Sequence, residues 1–163
     1  MTALRLAEEA GSSEGSWLGA CEAAYPKVYR GLIASGATAE DAADAIQDAF
    51  EQAIKVRVPV GSPEGWLFVV ALRRWKRTRW RARMFHPLGA LRARVHTEGA
   101  DATIDLLTEL GKLTERQRTV LVARHALGLS QKEIGEILGI TAGTVGAIAY
   151  QATQTLRERL EMK

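Results

Sequence analysis

Apolar residues recur every three or four positions through most of the chain, the spacing that puts them on one side of an α-helix. From Trp17 the sequence Leu18, Cys21, Tyr25, Val28, Leu32 predicts a first helix, kinked or interrupted at Pro26 and ending at Gly31 to Gly36. Thr38 is a cap for a second helix of about Ala39 to Ile54, with Ala42, Ile46, Ala49, Phe50 and Ala53 as its apolar face. Asp41 lies in its first turn, where it complements the helix dipole. KVRVPVGSPEG, residues 55 to 65, is too rich in proline and glycine for regular helix and reads as a loop. Ser62 then caps a third helix, entered through Pro63 and Glu64, in which Trp66, Val69, Val70 and Leu72 fill the core.

The last third carries the sharpest pattern. After a short helix through Ile104, Leu106, Leu107 and Leu110, two capping boxes follow, Thr114 with Gln117 and Ser130 with Glu133. Val120, Leu121, Arg124 and Leu127 mark a face of the helix between them, and Gly128 is suited to end it. Ile134, Ile137 and Leu138 bury a short helix that turns at Gly139. Thr141 caps a final helix whose Val145, Ile148, Ala149 and Ala152 pack back on it. This order of elements is that of a helix-turn-helix, in which the start of the last helix enters the major groove. Here that start is Thr141, Ala142, Gly143 and Thr144.

The fold class that emerges is all-α: two small helical domains joined by a flexible linker, the C-terminal one a helix-turn-helix. Residues 1–15, ending in Gly and Ser, read as a disordered leader, 16–84 as the first domain, 85–101 as the linker and 102–163 as the second domain. The single cysteine, Cys21, excludes an internal disulfide framework and points to a reducing cytoplasm. No apolar run approaches a membrane span.

Charge divides the chain. Residues 1–64 hold five Lys/Arg and ten Asp/Glu, residues 65–97 hold nine and none, and residues 98–163 hold eight and nine. A polyanionic partner is therefore expected for the middle section alone. Its helix combines Arg73, Arg74, Lys76, Arg77, Arg79, Arg81 and Arg83 with Trp75 and Trp80, phosphate donors beside flat surfaces on which unpaired bases stack. The plainer reading makes the tryptophans core and the arginines solvated. On the second helix Asp44, Gln47, Asp48 and Glu51 form an acidic stripe, either a solvated face or a docking surface for a basic or amide-rich partner.

AADAIQDAFEQA at 42–53, PEGWLFVVALRR at 63–74 and the segment from Leu113 occur in the order and with the separation of three motifs of one family. The chain resembles the extracytoplasmic-function (ECF) type of bacterial RNA polymerase sigma factor, of the sigma-70 family. The resemblance implies that Asp44, Gln47, Asp48 and Glu51 dock on core RNA polymerase. It implies that Arg57, Ser62, Arg73, Arg74, Trp75, Arg77 and Trp80 open and hold the minus-ten promoter element as single strand. Arg124, Ser130, Gln131 and Lys132 would then meet phosphates of the duplex minus-thirty-five element, and Thr141, Thr144, Tyr150 and Gln151 its groove. No cofactor or metal is expected, and because many relatives are held by an anti-sigma partner, one is a possible partner here.

The sequence departs from the family pattern at Arg73 and Arg77, where Asn and Asp are usual, and in the final helix. There Gly146, Ala147 and Ile148 follow Val145, and Gln151 stands where Arg is common. Fewer cations mean fewer phosphate contacts. A sigma-like interaction protein, binding polymerase or a regulator with little DNA recognition by its second domain, is the alternative. A helix-turn-helix repressor with a dimerising first module is a third reading. An enzyme fits least, since His86, His96, His125 and Cys21 have no metal-ligand or nucleophile spacing.

Overall fold

A computed structural model describes residues 2–55, 62–85 and 101–162, and every regular element among them is helical: α1 (Thr2–Ala34), α2 (Ala39–Lys55), α3 (Pro63–Phe85), α4 (Asp101–Gly111), α5 (Glu115–His125), α6 (Gln131–Leu138) and α7 (Ala142–Glu161). The expected linker lies largely outside the described residues, as does Arg57.

Local capping chemistry sets where the helices begin. The Thr38 hydroxyl accepts the N–H of Asp41 at 3.1 Å and opens α2, and the Ser62 hydroxyl accepts that of Gly65 at 3.1 Å and opens α3. Both expected capping boxes are formed, at Thr114 with Gln117 and at Ser130 with Glu133. One expectation fails at the N-terminus. The leader is helical from Thr2, and α1 passes through Pro26 as one element to Ala34. Ala, Leu and Glu dominate residues 3–9, all strong helix formers, and a proline costs a helix one backbone bond without obliging it to end.

The first three helices pack on one another around Cys21, Val28, Leu32, Ile46, Leu67 and Phe68, each essentially inaccessible. Phe50 and Trp66 are only partly buried, and Trp66 meets Trp17 edge to face with centroids 5.2 Å apart. The Cys21 thiol is pushed up to about 11 by burial, so it sits in the core as a small neutral side chain. In the second unit α7 lies across α5 and α6, sealing Val120, Ile134, Val145 and Ala152. The turn between α6 and α7 is tight: a Cβ on Gly135 would sit 2.6 Å from the Ile140 carbonyl oxygen. Gly128 and Gly139 have φ of 71° and 68°, the left-handed geometry that glycine adopts without strain. The buried side chains of the two units join in one cluster.

Candidate nucleic-acid interface

The helix α3 outgrows its support. As far as Trp75 it is sandwiched against α1 and α2, and from Arg77 to Met84 every side chain is exposed. A helix rises 1.5 Å per residue, so the free part extends about 12 Å beyond the core. Helical geometry sorts its cations onto two faces. Arg73, Arg77, Trp80 and Arg81, spaced at four, three and one, form one stripe open to solvent. Lys76, Arg79 and Arg83 form another, which lines a groove of about 400 Å³ together with Trp80 and with Glu115, Arg118 and Thr119 of α5.

The two expected stacking tryptophans part company here. Trp80 is 60% exposed and offers its ring to solvent. Trp75 is 5% exposed, and the Arg79 guanidinium carbon lies 5.5 Å from its ring centroid. Trp75 is therefore a core residue, and the expectation that it stacks on a base is corrected. Arg74 is also committed, its Nη2 donating to Gln52 Oε1 of α2 at 3.0 Å. Arg73 and Arg77 remain exposed, and Ser62, half-buried, has its hydroxyl engaged as the α3 cap.

In the second unit Thr141 Oγ1 accepts the Thr144 N–H at 3.1 Å and lies 2.8 Å from the Thr144 hydroxyl, so the two threonines are locked together at the start of α7. Both are exposed, as are Ala142, Gly143, Ala147, Gln151 and Tyr150, the last 67% so. This face is uncharged. Arg124, Gln131 and Lys132 are exposed beside it, while the Ser130 hydroxyl and N–H are taken by the capping box with Glu133. That N–H and hydroxyl hold the Glu133 carboxyl below the ordinary glutamate range, against the smaller effect of burial. Gly146 has a packing reason: a Cβ there would fall 3.2 Å from the Gln131 amide nitrogen, which lies across α7 at that point.

On α2, Asp44, Gln47, Asp48 and Glu51 are all exposed, opposite the buried Ala42, Ala45, Ile46, Ala49 and Ala53. Among the described residues no group of His, Cys, Asp and Glu could hold a metal ion, and no helix is long and apolar enough to cross a membrane.

Arg118 is the residue whose part sequence reasoning missed. Its guanidinium donates to the carbonyl oxygens of Leu110 (2.9 Å), Gly111 (2.9 Å) and Leu113 (3.2 Å), and across to that of Ser35 (3.2 Å). It thereby occupies the carbonyl ends of α4 and α1 at once, where a cation is favoured. Burial lowers its pKa, and burial followed by Arg83 and Arg118 lowers that of Arg79.

Residues 103–156 match the family model described as sigma-70, region 4. The chain is 36% identical over 74 residues to an RNA polymerase sigma-E factor of Streptomyces avermitilis, which covers 39% of this chain and 41% of that protein. It is 38% identical over 58 residues to an RNA polymerase sigma-E factor of Streptomyces antibioticus, covering 36% and 32%. The matches thus span less than half the length of either relative. In fold it is similar to the sigma factor RpoE of Bartonella quintana, solved in complex with the anti-sigma factor NepR. The TM-score is 0.69 at 22% identity, over 85% of this chain and 92% of that one. Fold and matched region define the class: a protein whose described residues are helical and which carries a helix-turn-helix similar to sigma-70 region 4. Residues 103–156 are thus similar to sigma-70 region 4, and the helical fold is similar to that of a sigma factor of known structure.

Proposed function

We propose that the protein is a promoter-specificity subunit, which binds core RNA polymerase and directs initiation by recognising and melting promoter DNA, with no reaction of its own. The observation that carries this reading is the region 4 match over residues 103–156, on a helix-turn-helix whose reading residues Thr141 and Thr144 stand in solvent. The exposed stripe Arg73, Arg77, Trp80 and Arg81 supplies what the separated minus-ten strand requires, phosphate donors flanking a free indole. The acidic stripe Asp44, Gln47, Asp48 and Glu51 is the polymerase contact, and the minus-thirty-five element lies against Thr141, Thr144, Tyr150 and Gln151 as duplex. An anti-sigma factor is a further partner in this reading, and the cytoplasm its place of action.

The uncharged face of α7 sets how the subunit divides its affinity. Each phosphate contact contributes about 0.9 to the salt slope of log K on duplex DNA. The second unit therefore supplies a weak, salt-tolerant grip, and the α3 stripe most of the electrostatic attraction. The test is reconstituted transcription with core polymerase on a library of genomic promoter fragments. A discrete set of initiated transcripts is expected. A stable polymerase complex that starts no transcript would overturn this reading in favour of an interaction protein.

A further inference from the structure

The start of α7 is short of side chains that can carry a base contact. Ala142, Gly143 and Ala147 have no polar side-chain atom. Thr141 and Thr144 do, but their hydroxyls lie 2.8 Å apart and that of Thr141 also accepts the Thr144 N–H at 3.1 Å. Part of their bonding capacity is therefore spent on each other. Tyr150 stands eight residues beyond Ala142, about 12 Å further along the axis, and Gln151 further still.

A free polar group enters this face from the helix before it. Gln131, the first residue of α6, is exposed, and its side chain lies across α7 at Gly146. A Cβ on Gly146 would fall 3.2 Å from the amide nitrogen, 3.3 Å from the amide oxygen and 3.4 Å from the carbon between them. The amide thus takes the place that a side chain at 146 would occupy. Gly146 is three residues after Gly143 and four before Tyr150, both exposed, so it sits in the middle of one helix face. It is also only about 6 Å along the axis from Ala142. Among the described residues nothing bonds the Gln131 side chain, whereas the neighbouring Ser130 is committed to its capping box.

We infer that Gln131 of α6 reads a base edge from the place left open by Gly146 of α7, and that it selects adenine. An amide presents a donor and an acceptor side by side, which match the N7 acceptor and N6 donor of adenine in the major groove. A phosphate offers acceptors only, so a phosphate contact would use the amide nitrogen and leave its oxygen unpaired. Gln131 thereby moves from the phosphates to the bases, and Arg124 and Lys132 keep the phosphates. Gly146 belongs to the same device, since a larger residue there would displace the amide. The inference rests on the promoter-subunit reading in one respect, that the second unit lies on duplex DNA.

The test is selection of duplexes from a pool randomised across the minus-thirty-five element, retained by the full chain with core polymerase and then sequenced. The wild type is expected to enrich adenine at one position about tenfold over the other bases, within the range of one bidentate pair. Gln131→Ala should lose that preference, and Gln131→Glu, which has acceptors only, should move it to cytosine at the same position. Gly146→Leu, which fills the place of the amide, should also lose it, at unchanged helix content by circular dichroism. The assignment is overturned by a base profile unchanged in Gln131→Ala, by an adenine preference kept in Gly146→Leu, or by a wild type that enriches no base. A loss in Gln131→Ala spread evenly over all sequences overturns it too, since that is the mark of a phosphate contact. Transcription from the selected duplexes separates the two readings. Adenine enriched without any initiated transcript sinks the promoter-subunit reading and leaves Gln131 in place, whereas transcripts with an unaltered Gln131→Ala profile sink the role of Gln131 alone.

Discussion

Arg118 and Ser35, 83 positions apart in the chain, are joined at 3.2 Å by a guanidinium that also closes the turn between α4 and α5. One side chain thus finishes a helix in its own unit and fastens that unit to its neighbour. A lysine has one ammonium in place of a planar fork and cannot reproduce four directed bonds.

Replacing Arg118 by Ala should therefore destabilise the chain by about 1.5–3 kcal/mol, the range for hydrogen bonds made by a charged group. Arg118→Lys should recover less than half of that. Urea unfolding followed by circular dichroism measures both, and a loss below ~0.5 kcal/mol in the alanine variant would mean that the four bonds add nothing net.

At Gly135 two effects oppose each other. Alanine gains up to about 1 kcal/mol in helix propensity but places its Cβ 2.6 Å from the backbone oxygen of Ile140, which can move only if the turn opens. Overpacking of this kind costs about 1–3 kcal/mol, so Gly135→Ala should destabilise on balance and weaken duplex binding by the second unit. Thermal unfolding gives the sign directly.

The Ser130–Glu133 box has a pH signature. Because the folded-state pKa of Glu133 is depressed by the Ser130 N–H and hydroxyl, its contribution is complete above the ordinary glutamate range and is lost as pH falls through the folded value. Ser130→Ala should cost about 1 kcal/mol at neutral pH. The gap to the wild type should narrow in acid, where the carboxyl is protonated in both, to the part set by the hydroxyl's bond to the Glu133 N–H, which does not titrate. A constant gap down to the acid transition would contradict the linkage.

Trp75 and Trp80 should behave oppositely. Trp75→Ala empties a core site and should cost about 3–5 kcal/mol in stability. Trp80→Ala should leave stability within ~0.5 kcal/mol but lose about 1–3 kcal/mol in binding to single-stranded promoter DNA, measured by fluorescence anisotropy. Loss of Arg77 in the same assay should lower the salt slope by about 0.7.

Charge reversal at Asp48 and Glu51, both solvent-exposed, should abolish the complex with core polymerase while leaving unfolding within ~0.5 kcal/mol and single-strand binding intact. Co-elution with core enzyme on a sizing column is the readout. Retention of the complex would move the docking surface off this face of α2.

The sequence by itself determined what depends on neighbours three or four residues away. The caps at Thr38, Ser62, Thr114, Ser130 and Thr141 are hydrogen bonds within a single turn, so residue type and spacing specify them without reference to any other helix. The acidic face of α2 and the helix-turn-helix were legible for the same reason. Only the tertiary structure decided between Trp75 and Trp80, which stand five residues apart in one arginine-rich run. The first lies where α1 and α2 still flank α3, and the second lies beyond their ends. The same holds for the division of the α3 arginines into two faces, for the four carbonyls gathered by Arg118, and for Gly146 beneath the Gln131 amide. Each depends on which surface another helix brings to that point, and helical period says which residues share a face but not what the face will meet.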